Sequence, residues 1–391
     1  MTTAPPRSGS SRGFAHGLLL GPGLLLGFLA VVGCGDGNPD EVAHTDAANA
    51  PPRDTAAIST DSIPAGFTDG ALRRWRTARD ALVGARSILG IGDYEAGPAV
   101  FGEISDAKID QAGNILILDG QEARVSLFDS VGGHVGSFGG IGEGPEELRE
   151  PRSFALVGED RIAVPVPGRI KVFRPEEGRW RLDDIMELSM VANHACSTGD
   201  NRIFVSAWQM ESNTVVHEIA SAGIFSSFGT GHQSDDWLLQ LQLSDGRIAC
   251  LDHPAGLAHA FTHTSRIRLF SLDGSLLWVA ALADHTPIEV TSTTGSVSMR
   301  IPEEYDILAA IHGTPTGHIV LQYSHRRAGI DTRLRTYLVD AATGGGALIS
   351  SDLPSIKFIG REGYIATFSD PYPRLEVRVV EWGDSAVRRQ S

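Results

Sequence analysis

Cysteine and positive charge are both scarce in this chain of 391 residues, which holds three Cys and 33 Lys and Arg against 48 Asp and Glu, for a formal net charge of −15. So few thiols exclude a small disulfide-built scaffold. A charge of that sign repels a phosphate backbone unless basic residues cluster, and the longest basic run, Arg73-Arg74-Trp75-Arg76, reads as a solvated segment beside a linker. No nucleic-acid partner is expected. Also absent are a GxxxxGK[ST] phosphate loop, an HExxH or CxxC metal motif, and a GxSxG elbow on a strand-to-helix turn. Aromatic residues make up only 7%, whereas 45 Gly accompany a hydrophobic share of 42%. That balance excludes wholesale disorder and favours many short strands joined by tight turns.

The first 34 residues resemble an export signal, with Arg7 and Arg12 ahead of an apolar stretch from Leu18 to Val32. The stretch ends in Val31-Val32-Gly33-Cys34, which resembles the lipobox of bacterial lipoproteins, where the Cys becomes the lipidated first residue of the mature chain. Gly13 to Gly33 would also reach across a bilayer as an uncleaved anchor, but Gly21-Pro22-Gly23 weakens such a helix. Either reading exports the bulk of the chain, to an extracytoplasmic site at the membrane. From Gly35 to about Gly66 almost no large apolar residue occurs, which predicts a disordered tether.

Beyond the tether a unit recurs six times: a polar tight turn, an Ile and a short apolar strand. The copies are Gly113-Asn114-Ile115, Asp160-Arg161-Ile162, Asn201-Arg202-Ile203, Gly246-Arg247-Ile248, Gly317-His318-Ile319 and Gly363-Tyr364-Ile365. A second strand follows each in step: RVSLF ending at Phe128, RIKVF at Phe173, VVHEI at Ile219, RIRLF at Phe270, RTYLV at Val339 and EVRVV at Val380. Four strands in roughly 40 to 50 residues is the requirement of a β-propeller blade. A solenoid of the same period would need helices, and none is expected inside the repeat. The predicted fold is therefore all-β, a six-bladed β-propeller spanning residues 87–382, followed by a polar tail, 383–391.

The sixth unit lacks a fourth strand, and Ser87 to Gly92 is expected to supply it, closing the ring without free edges. Between tether and ring, Asp69 to Arg86 could form a short capped helix or docking segment within residues 67–86, with Leu72, Trp75, Ala78 and Leu82 as its apolar stripe.

Phe138-Gly139-Gly140-Ile141-Gly142-Glu143-Gly144-Pro145, after AGNILILD and RVSLFD, resembles the NHL-type repeats of six-bladed propeller lipoproteins of bacteria. The resemblance implies a fold and a compartment. It carries over no single activity, although some propellers of this type are enzymes.

In such a ring the A–B and C–D turns share one face, while B–C loops and inter-blade connections share the other. The long loops expected on that second face are Gly139 to Pro151, Gly229 to Trp237, Asp252 to Thr264, Ala281 to Glu304 and His325 to Arg333. Binding residues commonly lie on such loops. Asp106, Lys108, His194 and His312, on the inner strands, are the candidates to line the channel and contact a ligand. His253, His259 and His263 invite a metal reading, because catalytic zinc often keeps three protein ligands and an open position. Their spacing matches no mechanistic motif, and solvated loop histidines are the simpler account. No other cofactor is expected. Cys250, in an apolar column of strand B, reads as a small buried hydrophobe, and whether it pairs with Cys196 stays open.

The reading that results is an exported, membrane-tethered monomer anchored through lipidated Cys34. It acts as a binding module for protein, peptide or glycan through its loop-rich face. The alternative is a metal-dependent lyase or hydrolase of NHL type, with its site at the channel mouth.

Overall fold

The computed structural model describes residues 56–382, apart from 61, 62, 65, 96, 294, 295, 328 and 329. Cys34, the apolar leader and the polar tail lie outside the described residues.

The strands form six four-stranded antiparallel units, each running outward from an inner strand A to an outer strand D, and the fold is a β-propeller. Blade I comprises Ile104–Ile109, Ile115–Asp119, Arg124–Phe128 and His134–Gly139. Blade II follows with Ala155–Val157, Arg161–Val166, Arg169–Glu176 and Arg179–Glu187, and blade III with His194–Ser197, Ile203–Gln209, Thr214–Ala220 and Gly223–Thr230. Blade IV holds Gly246–Asp252, Ala255–Phe261, Arg266–Phe270 and Leu276–Leu282, and blade V holds Glu304–Gly313, His318–Arg327, Ile330–Asp340 and Gly346–Ser350. Blade VI takes strands A to C from Ser355–Ile359, Gly363–Phe368 and Arg374–Val379. Its strand D is Arg86–Ile91, paired antiparallel to strand C with Arg86 opposite Val379 and Ile91 opposite Leu375. The ring thus closes with N-terminal chain beside C-terminal chain, as the missing strand requires.

The B strands are buried along their length, as in Ile115–Asp119, because each blade is covered on both faces by its neighbours. Aliphatic clusters accordingly span pairs of blades: Ala155, Val157 and Val172 of blade II pack with Ala195, Val205 and Ile219 of blade III. Acidic and hydroxyl side chains organise the short turns. The Asp110 carboxylate accepts from the Asn114 amide at 2.8 Å, and Gly113 between them adopts φ 84°, a left-handed conformation that only glycine takes without strain. Asp129 does the same for the amides of Val131 and Gly133 beside Gly132.

Three sequence expectations need correction. Gly246–Asp252, read as a turn followed by strand B, is strand A of blade IV and pairs only with Ala255–Phe261. The misreading arises because this strand is as apolar as a B strand. Asp252 to Thr264 is therefore no insertion: it contains the whole of strand B. Second, Trp237–Ser244 is a helix (α2), capped by Asp236, whose carboxylate accepts from the Leu238 and Leu239 amides. So short an apolar run carries too little periodicity to be distinguished from a strand.

Third, Ala56–Ser59, assigned to the tether, is a strand. It lies parallel to the outer strands of both blade IV and blade V, joining them into one nine-stranded sheet, with Ile58 fully buried. The expected helix is present as Asp69–Val83 (α1), capped by Thr68. Ala71, Trp75, Ala78 and Leu82 are its buried residues, Ala71 replacing Leu72 in the expected stripe. Trp75 Nε1 donates to the Leu338 carbonyl at 2.8 Å, so α1 is docked on blades V and VI near their short-turn end.

Candidate ligand site: the channel and the loop-bearing face

Every blade places an ionisable side chain on, or just before, its inner strand. Asp106 and Lys108 belong to blade I, His194 to blade III and His312 to blade V, so the four sequence candidates converge on the ring interior. Three further residues join them: Arg152 ahead of strand A of blade II, Arg247 in strand A of blade IV and Lys357 in strand A of blade VI. The charges acting on His194 are those of Arg247, Arg152, Lys108 and Lys357, which puts four blades within electrostatic reach of one imidazole.

Asp106 is the best-satisfied member. Its Oδ2 pairs with Lys108 Nζ at 3.0 Å and accepts from the Phe154 amide of blade II at 3.1 Å, while Oδ1 accepts from the Ala107 amide at 2.9 Å. The Lys108 ammonium also sits 5.1 Å from the Phe154 ring centroid, close enough for a cation–π contact. The His312 Nε2 proton is donated to the Ile356 carbonyl at 2.9 Å, tying blade V to blade VI. Desolvation, helped by Lys108, Lys357 and Arg247, pushes His312 down to about 3, and desolvation with the same kind of cationic surroundings holds His194 well below its usual value. Both imidazoles are neutral at pH 7. Desolvation also lowers Lys357 to about 8; Arg247 and Lys108 add to the shift, and Asp106 and Glu103 oppose it.

Inter-blade hydrogen bonds hold this interior in register. Ser153 accepts from the Ala195 amide at 3.0 Å, and Asn193 Nδ2 donates to Asp245 at 2.7 Å. Gln322 accepts from the Ile356 amide at 2.7 Å. Between blades III and IV the link is covalent: Cys196 and Cys250 form a disulfide across adjacent inner strands, with Cα atoms 5.6 Å apart. Cys250 is therefore not the buried thiol of a B strand.

The histidines considered for a metal do not converge. His253 lies in the A–B turn of blade IV, while His263 follows strand B at its other end, about 20 Å away at the rise of a β-strand. His259 is inside that strand, fully buried, with its ring edge-on to Phe261 and Arg268 beside it. Among the described residues no group of three or more His, Cys, Asp and Glu is placed to hold a metal ion.

The face carrying the inter-blade connections holds α2 and a hairpin, Glu289–Thr293 with Ser296–Arg300, in the blade IV to V connection. Leu239 of α2 packs with Ile288 and Val290, and with Tyr305 and Ile307 of blade V, in a small separate core. A buried polar network pins the start of the connection. Arg335 pairs with Asp284 and, at 2.6 Å, with Asp306; Tyr337 donates to Asp284 at 3.1 Å; Asp306 accepts from the Thr286 amide at 2.7 Å. Large apolar side chains remain exposed around this face: Tyr94, Ile141, Val191, Met210, Trp237, Leu241 and Ile301, between 39% and 74% accessible. Two clefts elsewhere, one of about 200 Å³ beside the A–B turns of blades I to III and one of about 450 Å³ between the outer strands of blades I and II, contain none of the channel residues.

No family model and no curated protein matches the chain. Solved structures do match in fold. A protein of Bacteroides fragilis NCTC 9343 described as exported is similar at 11% identity and a TM-score of 0.51, over 84% of this chain and 99% of that one. A protein of unknown function from Bacteroides thetaiotaomicron VPI-5482 is similar at 11% identity and a TM-score of 0.50, over 76% of each chain. The Swd1 β-propeller domain from Myceliophteria thermophila aligns at 8% identity with a TM-score of 0.45. At these identities the likeness concerns the fold.

Proposed function

We propose that this chain is an exported β-propeller of the NHL type, tethered to the membrane through lipidated Cys34, that binds a protein, peptide or glycan on its loop-bearing face without chemistry of its own. The observation that carries the reading is that seven of the fifteen exposed large apolar residues among the described residues lie on the connections of that face. Tyr94, Ile141, Val191, Met210, Trp237, Leu241 and Ile301 come from different inter-blade and B–C segments yet share one end of the ring. Scattered singly, such residues need no explanation; rimming one face of a rigid scaffold, they mark a contact surface. The disulfide suits the oxidising side of a membrane. A propeller described as exported, similar over most of its length, agrees with that compartment.

The metal-dependent alternative finds no converging site at His253, His259 and His263, which lie before, within and after one strand. The test is a crosslinking pull-down from intact cells, comparing the parent chain with a variant whose residues 289–300 are replaced by a short Gly-Ser link. Loss of a captured partner supports the reading. Identical capture by both, together with identical capture by Trp237→Glu, refutes it.

A further inference from the structure

Most cations in buried or half-buried surroundings of this protein are engaged. Arg335 holds two aspartates, Arg202 is bidentate to Glu218, Arg378 pairs with Glu376, and Lys171 donates to the carbonyls of Gly144 and Glu147. The channel departs from this rule. Arg247 and Lys357, half-buried on innermost strands, make no hydrogen bond or ion pair among the described residues, and neither does Arg152, which is exposed just ahead of a third. The carboxylates within electrostatic reach, Asp106 and Asp245 for Arg247 and Asp106 and Glu103 for Lys357, make their hydrogen bonds to other groups or stay exposed. Asp106 is taken by Lys108 and two amides, and Asp245 by Asn193 and by Thr262 at 2.7 Å; Glu103 lies exposed beside the entrance.

Unpaired like charges gathered in a confined space are costly to fold, and proteins keep such arrangements where a ligand supplies the missing charge. Four cations from four blades, Lys108, Arg152, Arg247 and Lys357, stand against the three carboxylates of Asp106, Asp245 and Glu103, with His194 among them, while His312, its one N–H given to the Ile356 carbonyl, offers only an acceptor. We infer that the channel binds a small anion through a carboxylate or phosphate group, held between Arg247 and Lys357 with exposed Arg152 at the rim. The inference rests on the reading of this protein as a binding module, and it names the charge of what enters the channel. Arg247 can meet a carboxylate or phosphate with two parallel N–H donors, whereas Lys357 contributes a point charge.

The test is calorimetric titration of the mature chain with citrate and with pyrophosphate, against sodium chloride at matched ionic strength. Parallel titrations use Arg247→Met, Lys357→Met, the double variant, and Arg179→Met as a control cation on an outer strand. Saturable binding to the parent is expected, weakened about tenfold to hundredfold by either single channel substitution and abolished in the double variant, with Arg179→Met unchanged. A second readout guards against misfolding: removing a channel cation relieves repulsion, so Lys357→Met should melt no lower than the parent without anion and should lose the rise in melting temperature that citrate gives the parent. Citrate binding with pyrophosphate excluded, or the reverse, assigns the ligand to carboxylates or phosphates. No saturable binding of either, or binding untouched in the double variant, overturns the proposal. Partner capture by the loop-bearing face is scored separately. Capture that persists without anion binding removes only the channel assignment, and anion binding without loop-dependent capture removes the proposed docking face instead.

Discussion

Ring closure can be tested with two isoleucines on one strand. In the closing strand Arg86–Ile91, Ile91 is 5% exposed and packs with Phe101, Ile104, Ile115, Phe128 and Leu375, bridging blades VI and I. Ile88, at the bulge between Ser87 and Leu89, is 61% exposed. If the strand contributes through closure, Ile91→Ala removes three buried carbon atoms and leaves a cavity at the seam, at a cost of about 3 kcal/mol. Ile88→Ala touches nothing and should stay within about 0.5 kcal/mol of the parent. Guanidinium denaturation followed by tryptophan fluorescence reads both, since the midpoint shifts in proportion to stability when the slope is unchanged. Deleting residues 85–93 goes further. It bares the edge of Arg374–Val379, and the truncated chain should both melt lower and associate with itself. Equal midpoints for Ile91→Ala and Ile88→Ala, or a truncation that melts like the parent as a monomer, would refute the argument for closure.

Other consequences follow from the interior. Replacing both Cys196 and Cys250 with Ser frees a segment of 54 residues, and the chain-entropy argument puts the loss at about 4 kcal/mol. Denaturation with and without dithiothreitol should reproduce that gap in the parent and show none in the double variant. Arg335→Met leaves Asp306 buried with its main charge partner gone, so a loss of about 3 kcal/mol is expected, together with protease sensitivity in residues 283–303. Several histidines are held below their ordinary value by burial, His312 to about 3 and His318 to about 4. Because the unfolded chain takes up these protons first, the stability they confer is complete above about pH 6.5 and falls as the pH drops toward 4. A melting temperature flat from pH 7 to 4 would contradict their burial in neutral form.

The sequence made the architecture legible because the propeller repeats its physics. Five of the six B strands carry an Ile at or near their start after a polar turn and are mostly apolar on both faces; that of blade IV opens with Ala255-Gly256 instead. Five true starts and one in the same blade's A strand, with no fourth strand after Val380, were enough to anticipate the closing strand. Blade IV was misplaced by one strand because Gly246-Arg247-Ile248 copies the start of a B strand while standing at the start of an A strand. Ala56–Ser59 could not be told from the tether: its four residues bury only Ile58, and the pairing that orders them comes from blades far along the chain.

The channel was legible in part. Asp106, Lys108, His194 and His312 were proposed from alignment to the repeat, whereas Arg152 and Lys357 fell outside the aligned columns and Arg247 was hidden because its strand was read as strand B. Strand twist, rather than position within the repeat, decides which inner residue faces the ring interior. The histidines of blade IV misled for the opposite reason, since proximity in sequence along an extended strand is separation in space.

The most direct measurement is photo-crosslinking in intact cells from single positions around the molecule. A photoreactive residue at Trp237 or Ile301, on the loop-bearing face, should give a discrete adduct, and one at Val131 or Val135, at a short turn and on an outer strand of blade I, should give none. Adducts arising equally from both sets, or from Val131 and Val135 alone, would contradict the claim that this propeller meets its ligand through the face where its insertions gather.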